Sequence, residues 1–426
     1  MYKSLLSSVP TSTIKRCLAT NANSLSATNT SPSASATTDT PIDAKSTLNL
    51  ALTTSKPLNN WSREQISSLF NMPLNDLMFY AQLQHRQYHN PREIQLCTLL
   101  SIKTGGCSED CKYCAQSSKN DTGLKATKLL DLDTVYEKAK IAKLNNSTRF
   151  CMGSAWRDMK GRKSALRKIA EMVNKINNEL KMETCVTLGM INEEQAKTLK
   201  DAGLTAYNHN IDTSRNHYKN IISTRSYDER LQTIKNVNES GIKACTGGIL
   251  GMGETIEDHI DFIHTLSTMS KHPESLPINK LIAIKGTPME EELKTKYKDR
   301  KLELNNILRV ISTARLVMPE SIIRLAAGRY TMKEYEQLLC FNAGVNAIFT
   351  GEKMLTTMCT GWDEDIAMLK KWGYVPMEAF KKSQPRDKLN VKIDDLGLKE
   401  INLKQTNDVE PLEFTDTVKS TKTTSL

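Results

Sequence analysis

Short apolar segments alternate with amphipathic segments from residue 93 onward. The amphipathic segments have apolar residues at helical spacing, and two of them end at glycines, Gly203 and Gly241. This alternation predicts parallel strands joined by right-handed helical crossovers. The eight predicted strands are 93–104, 148–155, 182–190, 205–212, 243–253, 276–286, 321–329 and 345–351. The predicted fold class is therefore α/β, a (β/α)8 TIM-type barrel that is full or incompletely closed, with a doubly wound open sheet as the alternative.

Helical patterns are also predicted on both sides of this alternation. In NWSREQISSLF, Ser62 is a candidate N-cap with Gln65 three positions later, and NMPLNDLMFYAQLQHRQY continues as a second helix. We therefore expect an N-terminal helical extension over 56–92 and the barrel over 93–385, with DEDIAMLKKWGYVP as a closing helix. Residues 386–426 are polar and rich in lysine, which predicts a flexible tail.

The first forty residues differ in composition from the rest. They are dominated by Ser, Thr, Ala and Asn, they contain Lys3, Lys15 and Arg16, and no acidic residue precedes Asp39. An acid-poor, serine-rich and basic start is typical of a mitochondrial transit peptide. We expect a transit peptide and a disordered linker over 1–55, with a disordered tail that has no targeting role as the alternative.

The overall composition narrows the function classes. Hydrophobic residues make up 39% and charged residues 25%, as in soluble globular proteins. No apolar run approaches the roughly 20 residues that cross a bilayer, so no membrane span is predicted. The net charge of +10 comes from lysines scattered along the chain rather than from one basic block, so nucleic-acid binding is not predicted.

The stretch GGCSEDCKYC directly follows the first predicted strand. It places Cys107, Cys111 and Cys114 in a Cys-x3-Cys-x2-Cys triad. Three thiolates can ligate three of the four irons of a [4Fe–4S] cluster, which leaves one iron open to a small molecule. A structural zinc site is the alternative, but zinc loops pair Cys-x2-Cys units to reach four ligands, and the sequence has no second pair.

Three further cysteines lie inside predicted strands that converge in the barrel: Cys151, Cys185 and Cys245. A single buried cysteine is usually a small hydrophobic residue, but three on converging strands predict a second metal centre. Arg324 in the seventh strand would place positive charge beside their thiolates, and on physical grounds we expect a charge partner rather than a ligand. The remaining cysteines of the barrel region are interpreted as structural: Cys97, Cys340 and Cys359.

Polar residues mark the end of the fourth predicted strand. Asn208, Asn210 and Asp212 alternate, so they share one face and could hold hydroxyls, a urea or a ribose. A strand-end turn with satisfied side chains is the alternative. Asn279 is an isolated amide in the sixth strand. The glycines after Cys245 predict a close approach of the backbone to a ligand: Gly247, Gly248, Gly251 and Gly253.

Together these segments resemble the biotin synthase family of the radical S-adenosylmethionine superfamily. The triad loop alone resembles the superfamily signature. The specific resemblance is carried by TGGCSEDCKYCAQSS, RFCMGSAW, METCVTLGM, YNHNIDTS, GIKACTGGILGMGET, LPINKLIAIKGTP and IIRLAAGR. It extends from about residue 70 to residue 376.

The resemblance implies two clusters and one reaction. The catalytic triad Cys107, Cys111 and Cys114 would bind a [4Fe–4S] cluster that cleaves S-adenosylmethionine to a 5′-deoxyadenosyl radical. That radical would abstract hydrogen from dethiobiotin, and a [2Fe–2S] cluster would donate the sulfur that makes biotin. The [2Fe–2S] ligands would be Cys151, Cys185, Cys245 and Arg324. The resemblance therefore makes Arg324 a ligand, unlike the physical expectation above.

The resemblance also implies roles for the polar residues. The residues that contact S-adenosylmethionine would be Tyr113 near the adenine, Asn210 and Asp212 at the ribose, and Arg230 near the methionyl carboxylate. Asn208 and Asn279 would bind the ureido ring of dethiobiotin, with Asn210 between the two substrates.

The implied partners are a ferredoxin or flavodoxin type electron donor, the iron–sulfur assembly machinery of the mitochondrial matrix and a second copy of the chain in a homodimer. Two alternatives remain at this point. Another radical S-adenosylmethionine enzyme that inserts sulfur would keep the triad without the strand cysteines and Arg324. A non-catalytic electron-transfer module would need neither an open iron nor a polar pair such as Asn210 and Asp212.

Overall fold

The computed structural model describes residues 43–381, and three helices precede the first strand. They are α1 Ala44–Thr53, α2 Arg63–Phe70 and α3 Leu74–Tyr88. The predicted cap is present, because the Ser62 hydroxyl accepts from the Gln65 amide while the Gln65 side chain accepts from the Ser62 amide. All three helices pack against a later helix, Leu304–Val317, on the outside of the barrel.

Helix α1 lies within the stretch that was expected to be a disordered linker, and for these ten residues the structure differs from that expectation. The Asp43 carboxylate accepts hydrogen bonds from the amides of Lys45 and Ser46, which satisfies the first turn. Leu48 and Ala51 are buried against the neighbouring helices. One cap and two apolar residues are too weak a pattern to stand out in a polar sequence. The assignments of residues 1–42 and 382–426, the transit peptide and the tail, lie outside the described residues and remain predictions.

A closed barrel of eight parallel strand positions forms the centre of the fold. The strands are β1 Glu93–Lys103, β2 Arg149–Ser154, β3 Glu183–Thr187, β4 Ala206–Asn208, β5 Lys243–Cys245, β6 Gly248–Leu250, β7 Ser275–Lys280, β8 Ile322–Leu325 and β9 Ala347–Phe349. Because β5 and β6 both pair with β7, they share one barrel position. Pairing of β1 with β9 closes the barrel. The predicted (β/α)8 TIM-type barrel is confirmed, and the open-sheet alternative is wrong.

Helices cover the outside of the barrel in chain order. They are α4 Leu132–Leu144, α5 Lys163–Leu180, α6 Glu193–Asp201, α7 Arg215–Tyr218, α8 Tyr227–Glu239, α9 Ile256–Ser267, α10 Pro288–Lys294, α11 Leu304–Val317, α12 Glu334–Ala343 and α13 Trp362–Lys371. Helix α5 shows why the helices could be predicted from the sequence. Its residues Ile169, Val173 and Ile176 form one buried stripe at helical spacing. Among residues 43–381, no helix combines the length and the apolar character needed to span a bilayer.

Two small additions complete the described chain. A hairpin of β10 Lys353–Met354 and β11 Thr357–Met358 follows the last barrel strand, and β12 Val375–Pro376 adds in parallel to the start of β1. A short 3-10 turn spans Arg329–Thr331. In a barrel of this type the carboxyl ends of the strands and the loops after them form the functional face. The three-cysteine loop follows β1 and therefore lies at that face.

Candidate active site

One cavity of about 320 Å³ opens at the carboxyl end of the barrel, a volume in the range of small-molecule sites. It brings together every predicted site residue except Arg324. Those lining it are Cys107, Cys111, Tyr113, Cys114, Cys151, Cys185, Asn208, Asn210, Asp212, Arg230, Cys245 and Asn279. Two cysteine sets that are far apart in sequence thus face the same enclosed space.

Backbone hydrogen bonds hold the loop of the cysteine triad. Gly105 has a φ of +68°, which glycine adopts without strain, and it turns the chain away from the end of β1. The Cys107 amide donates to the Gln116 carbonyl oxygen at 2.9 Å, and the Gln116 side-chain oxygen accepts from the Gly105 amide at 3.2 Å. The Cys114 amide donates to the Cys111 carbonyl oxygen at 3.0 Å. The fold itself therefore gathers the three thiols.

Two acidic residues between the cysteines fasten this loop to the segment before α8. The Asp110 carboxylate accepts from the hydroxyls and the amides of Ser223 and Thr224. Burial opposes its charge, but these hydrogen bonds, that of the Ser223 hydroxyl first, lower the pKa of Asp110 to about 2. Glu109 is buried, and its Oε1 lies 3.1 Å from Nε of Arg225. These contacts were not predicted from the sequence, although the acidic residues Glu109 and Asp110 between two cysteines indicated that the loop needs polar partners.

Burial favours the neutral form of the triad thiols. Burial raises the pKa of Cys107 and Cys111, and it raises the pKa of Cys114 to about 11. Nearby iron would reverse this effect, because metals bind the thiolate form. Three thiols without a fourth suit a cluster with one open iron. Among residues 43–381, no group of three or more His, Cys, Asp or Glu side chains is arranged to hold a single metal ion.

Asp212 and Arg230 form a buried ion pair at the wall of the cavity. Their Oδ2 and Nη2 atoms are 2.6 Å apart, without the alignment of a hydrogen bond. Arg230 also donates from Nη1 to the Asn210 carbonyl oxygen at 2.6 Å and from Nε to the Tyr218 hydroxyl at 2.8 Å. Burial opposes the charge of Arg230, but Asp212 raises its pKa. Tyr113 lies nearby, and burial followed by the charge of Asp212 raises its pKa.

Asn208 is already partly satisfied by the protein. Its Nδ2 donates to Asn210 Oδ1 at 3.1 Å and to the Cys245 carbonyl oxygen at 3.0 Å. Its Oδ1 accepts from the Thr187 hydroxyl at 3.1 Å. An amide nitrogen has two hydrogens, so Asn208 keeps the capacity to accept but not to donate.

Asn279 on β7 forms hydrogen bonds to the segments on both sides of its strand. It donates to the Gly248 carbonyl oxygen at 2.8 Å and accepts from the Ala327 amide at 3.0 Å. One donor and one acceptor position of the side chain remain for a ligand. Asn279 is therefore a structural connection between β6 and the chain after β8, as well as a wall of the cavity.

The strand cysteines form a continuous row of buried thiols. Cys151 and Cys185 are register partners on β2 and β3, and Cys245 on β5 is the register partner of Asn208 on β4. The Cys185 thiol packs in one buried group with those of Cys151 and Cys245. These contacts raise the pKa of Cys185, and they lower the pKa of Cys245 to about 7 with help from Arg324. The predicted convergence of the three strand cysteines is present.

Arg324 lies fully buried below this row. Its Nη2 donates to Gln95 Oε1 at 2.5 Å, and its guanidinium carbon lies 5.1 Å from the centroid of the Phe349 ring. Its Nε and Nη1 have no hydrogen-bond partner. Burial opposes its charge, yet its pKa is raised, because the negative charge that the nearby Cys97, Cys245 and Cys151 carry as thiolates favours the cation. A buried cation with unused donors beside three thiols fits an anionic iron–sulfur cluster.

Cys97 belongs to this group as well, although the sequence reading treated it as structural without such company. Its thiol packs in one buried group with Cys151 and donates to Gln95 Oε1 at 3.5 Å. The signal was available in the period of two along β1, because Cys97 is two residues before Leu99, the register partner of Cys151. Cys340 differs, because it lies in the main hydrophobic core on α12. Cys359 is half-buried and packs at the edge of the thiol group.

A second polar group that the sequence reading missed lies one layer below. Gln95 Nε2 donates to Glu183 Oε2 at 3.1 Å. Arg149 donates from Nε to the same oxygen at 2.7 Å and from Nη2 to Glu274 Oε1 at 2.7 Å. Burial opposes the charge of Glu274, but Arg149 lowers its pKa to about 2. These partners are far apart in sequence, and no local motif announces them.

The glycines after Cys245 are not among the residues that line this cavity, and the expected backbone approach to a ligand stays a prediction. A Cβ on Gly247 would lie 2.0 Å from the Pro277 carbonyl oxygen, and one on Gly248 would lie 2.5 Å from the Asp212 carbonyl oxygen. Gly253 packs against the Tyr297 ring. Because Gly247 and Gly248 have no side chain, β6 packs closely against β7 and the loop after β4.

Two family models match the chain. One is the radical SAM superfamily over residues 101–266, which contains the triad loop and β2 to β5. The other is the biotin and thiamin synthesis associated domain over residues 277–375, which contains β8 and β9. The two matches together cover most of the described barrel.

A solved structure shares the architecture. The crystal structure of methylornithine synthase (PylB) aligns with a TM-score of 0.63 at 17% sequence identity, over 78% of this chain and 97% of that one. At that identity the likeness concerns the fold.

Curated relatives are similar over nearly their whole length. The chain is 67% identical over 334 residues to "Biotin synthase, mitochondrial" of Saccharomyces cerevisiae, which covers 78% of this chain and 88% of that protein. It is 56% identical over 333 residues to the protein of the same name from Emericella nidulans, which covers 78% of this chain and 82% of that protein. The chain belongs to the biotin synthase family.

Proposed function

We propose that this chain converts dethiobiotin to biotin, with a [4Fe–4S] cluster at Cys107, Cys111 and Cys114 and a [2Fe–2S] cluster at the strand cysteines. Membership of the family makes the chain a radical S-adenosylmethionine enzyme of biotin synthesis. The observation that carries the two-cluster proposal is that both cysteine sets line one cavity. A substrate held between them can lose hydrogen on one side and gain sulfur on the other without leaving its pose.

The cofactors supply the difficult chemistry, and the protein supplies position and enclosure. When bound, S-adenosylmethionine and the [4Fe–4S] cluster supply hydrogen abstraction from unactivated carbon, and the [2Fe–2S] cluster supplies sulfur. The triad leaves one iron without a protein ligand, which is where S-adenosylmethionine would be held. Leu99, Met354 and Leu355 are apolar parts of the wall and exclude water from the reactive space.

The polar wall suits S-adenosylmethionine. Asp212 keeps Oδ1 for ribose hydroxyls while Oδ2 remains beside Arg230. Arg230 is oriented by Tyr218 and Asn210, and it places positive charge where a methionyl carboxylate would bind. Tyr113 offers an aromatic surface to the adenine. These assignments agree with the roles that the family resemblance implies.

The amides complement the ureido ring of dethiobiotin. A urea has two N–H donors and one carbonyl acceptor. Asn208 retains only acceptor capacity, which suits a ring N–H, whereas Asn279 retains one donor and one acceptor. Asn210 lies between them and the residues proposed for S-adenosylmethionine, and its Oδ1 is held by Asn208 and the Gly247 amide.

At the deep end of the cavity, Cys151, Cys185 and Cys245 are proposed to ligate the [2Fe–2S] cluster together with Arg324. The unused Nε and Nη1 of Arg324 support a role directed at the cluster. Whether a nitrogen bonds to iron or only neutralises charge, Arg324 offsets the negative charge of three buried thiolates.

We further propose a location in the mitochondrial matrix, and the leader composition and the names of the relatives from Saccharomyces cerevisiae and Emericella nidulans support it. The proposed partners are a ferredoxin or flavodoxin type electron donor and the iron–sulfur assembly machinery, and the proposed assembly is a homodimer. Import of a fluorescent protein fused to residues 1–55 tests the location. Light scattering of the purified chain tests the assembly.

An anaerobic assay with dethiobiotin, S-adenosylmethionine and a reductant, read by mass spectrometry, tests the function. The expected products are biotin and 5′-deoxyadenosine. Formation of 5′-deoxyadenosine without biotin, in protein that contains both clusters, would favour a different sulfur-insertion substrate. Absence of both products from such protein would favour an electron-transfer module.

A further inference from the structure

We propose that Cys97 is a fourth thiol ligand available to the deep cluster, able to take the iron position of Arg324 when the guanidinium is absent or displaced. The inference rests on the proposed function, because it presupposes a cluster at Cys151, Cys185 and Cys245. It adds a residue that the family resemblance did not include among the ligands.

The position of Cys97 is the first support. Its side chain is completely buried and belongs to the same packed group as the three strand cysteines. It lies two residues before Leu99, the register partner of Cys151, and packs in the same buried group as Cys151. A ligand must be within reach of the iron that its neighbouring thiolate holds, and a thiol packed in one group with Cys151 meets that condition.

The second support is a shared hydrogen-bond acceptor. Gln95 Oε1 accepts from Arg324 Nη2 at 2.5 Å and lies 3.5 Å from the Cys97 sulfur. The guanidinium and the thiol therefore converge on one oxygen atom from two sides. Gln95 is itself fixed by its donation to Glu183 at 3.1 Å. A group that binds where Arg324 points is thus also next to Cys97.

The chemistry favours the thiol as a replacement ligand. Cysteine thiolate is the usual ligand of iron–sulfur clusters, whereas a guanidinium rarely loses the proton that it must lose to bind metal. Binding of Cys97 in place of Arg324 would break the thiol S–H bond and the Fe–N bond and form one Fe–S bond, with the thiol proton passing to the released guanidine nitrogen or to water and no change in electron count. The exchange therefore needs no additional oxidant or reductant.

A purely structural Cys97 would have the surroundings of Cys340. That residue is also completely buried, but it lies on α12 in the main hydrophobic core. Cys97 instead packs with the Cys151 thiol and lies 3.5 Å from Gln95 Oε1, which also accepts a hydrogen bond from Arg324. Cys340 is therefore the matched control for the loss of a buried thiol.

The test compares anaerobically reconstituted wild type with Arg324→Ala, Arg324→Ala/Cys97→Ala and the control Arg324→Ala/Cys340→Ala. Mössbauer spectra of ⁵⁷Fe report the ligands of the deep cluster, and a chelator challenge reports how tightly its iron is held. We expect Arg324→Ala to keep the deep cluster with two equivalent irons in all-sulfur coordination. Additional loss of Cys97 should speed iron loss about tenfold or more, whereas additional loss of Cys340 should not.

The outcomes separate this inference from the function on which it rests. A wild type without a deep cluster would defeat the proposed function. Two results in a wild type that has the cluster would overturn the role of Cys97. One is loss of the deep cluster from Arg324→Ala. The other is equal retention of the cluster in Arg324→Ala and Arg324→Ala/Cys97→Ala. Arg324→Ala/Cys97→Ser retains a side chain of similar size, so equal iron loss in the serine and alanine variants attributes the effect to the missing sulfur rather than to misfolding.

Discussion

Cys151 on β2 and Cys185 on β3 occupy the same register position of neighbouring parallel strands, and their thiols pack in one buried group. Cys245 belongs to the same group. The triad loop lines the same cavity as these three cysteines. The barrel thus places two cysteine sets on two sides of one small space, and the proposed reaction depends on this arrangement.

Replacing Cys185 with alanine should separate the two halves of the reaction. Cys185 touches both other strand thiols, so its loss removes the central ligand of the deep cluster without altering the triad loop. The Cys185→Ala variant should still cleave S-adenosylmethionine to 5′-deoxyadenosine but should form no biotin. Mass spectrometry of both products checks this. The Cys340→Ala variant, which removes a buried thiol elsewhere, should form biotin normally, and biotin formation by Cys185→Ala would contradict the ligand assignment.

Asp212 tests the proposed site for S-adenosylmethionine. Its φ of +66° is a conformation that asparagine tolerates, so Asp212→Asn removes the charge with little backbone strain. The variant should weaken binding of S-adenosylmethionine about tenfold or more, or ~1.4 kcal/mol, because the ribose loses an anionic acceptor and Arg230 loses its partner. Equilibrium binding to the anaerobic, reconstituted protein measures the change.

The control for that variant is Asp228→Asn. Asp228 pairs with Arg215 at 2.7 Å on an exposed surface and does not line the cavity. Loss of this surface pair should leave the affinity for S-adenosylmethionine unchanged. An equal loss of affinity in both variants, or none in Asp212→Asn, would contradict the proposed role of Asp212.

Asn279 is expected to affect stability as well as binding. The Asn279→Ala variant removes two hydrogen bonds that join β6 to the chain after β8 and leaves the Ala327 amide without its side-chain acceptor. We expect a loss of about 2 kcal/mol in the free energy of unfolding, together with weaker binding of dethiobiotin. Denaturant titration and ligand binding give the two quantities separately. Weaker binding at unchanged stability would show that these two hydrogen bonds do not support the fold.

The fold could be predicted from the sequence because its signals are local. Each strand is a short apolar run and each helix has a buried stripe such as that of α5, so the period identifies both. The triad loop was equally readable, because its three ligands lie within eight residues. Helix α1 was missed because its signal is one cap at Asp43 and two buried residues.

The deep layer could be predicted only in part because its contacts join distant strands. Cys97 was interpreted as structural and was not grouped with Cys151, although the register of β1 and β2 brings the two residues together. Gln95 and Arg149 belong to no sequence motif. Their contacts are with Glu183 on β3 and with Glu274 just before β7. The close packing of Gly247 against Pro277 and of Gly248 against Asp212 was missed for a related reason, because these neighbours are far away in the sequence.

Glu274 predicts a dependence of stability on pH. Its pKa is lowered to about 2 in the folded protein by Arg149, below the ordinary value of about 4.3. A depressed carboxyl pKa stabilises the fold above the unfolded value, and this stabilisation is lost as the pH falls towards 2. The Glu274→Gln variant should therefore be about 2 kcal/mol less stable than wild type near pH 6, and the difference should shrink by pH 3. Urea unfolding at both pH values measures it, and a constant difference would contradict the assignment.

The most direct test of the two-cluster site is the iron content of anaerobically reconstituted protein, measured alongside its Mössbauer spectrum. The wild type should contain about six irons per chain, four at the triad and two at the deep site. The Cys151→Ala/Cys185→Ala/Cys245→Ala variant should contain about four, and Cys107→Ala/Cys111→Ala/Cys114→Ala about two. A wild type with about four irons, unchanged by removal of the strand cysteines, would contradict the account.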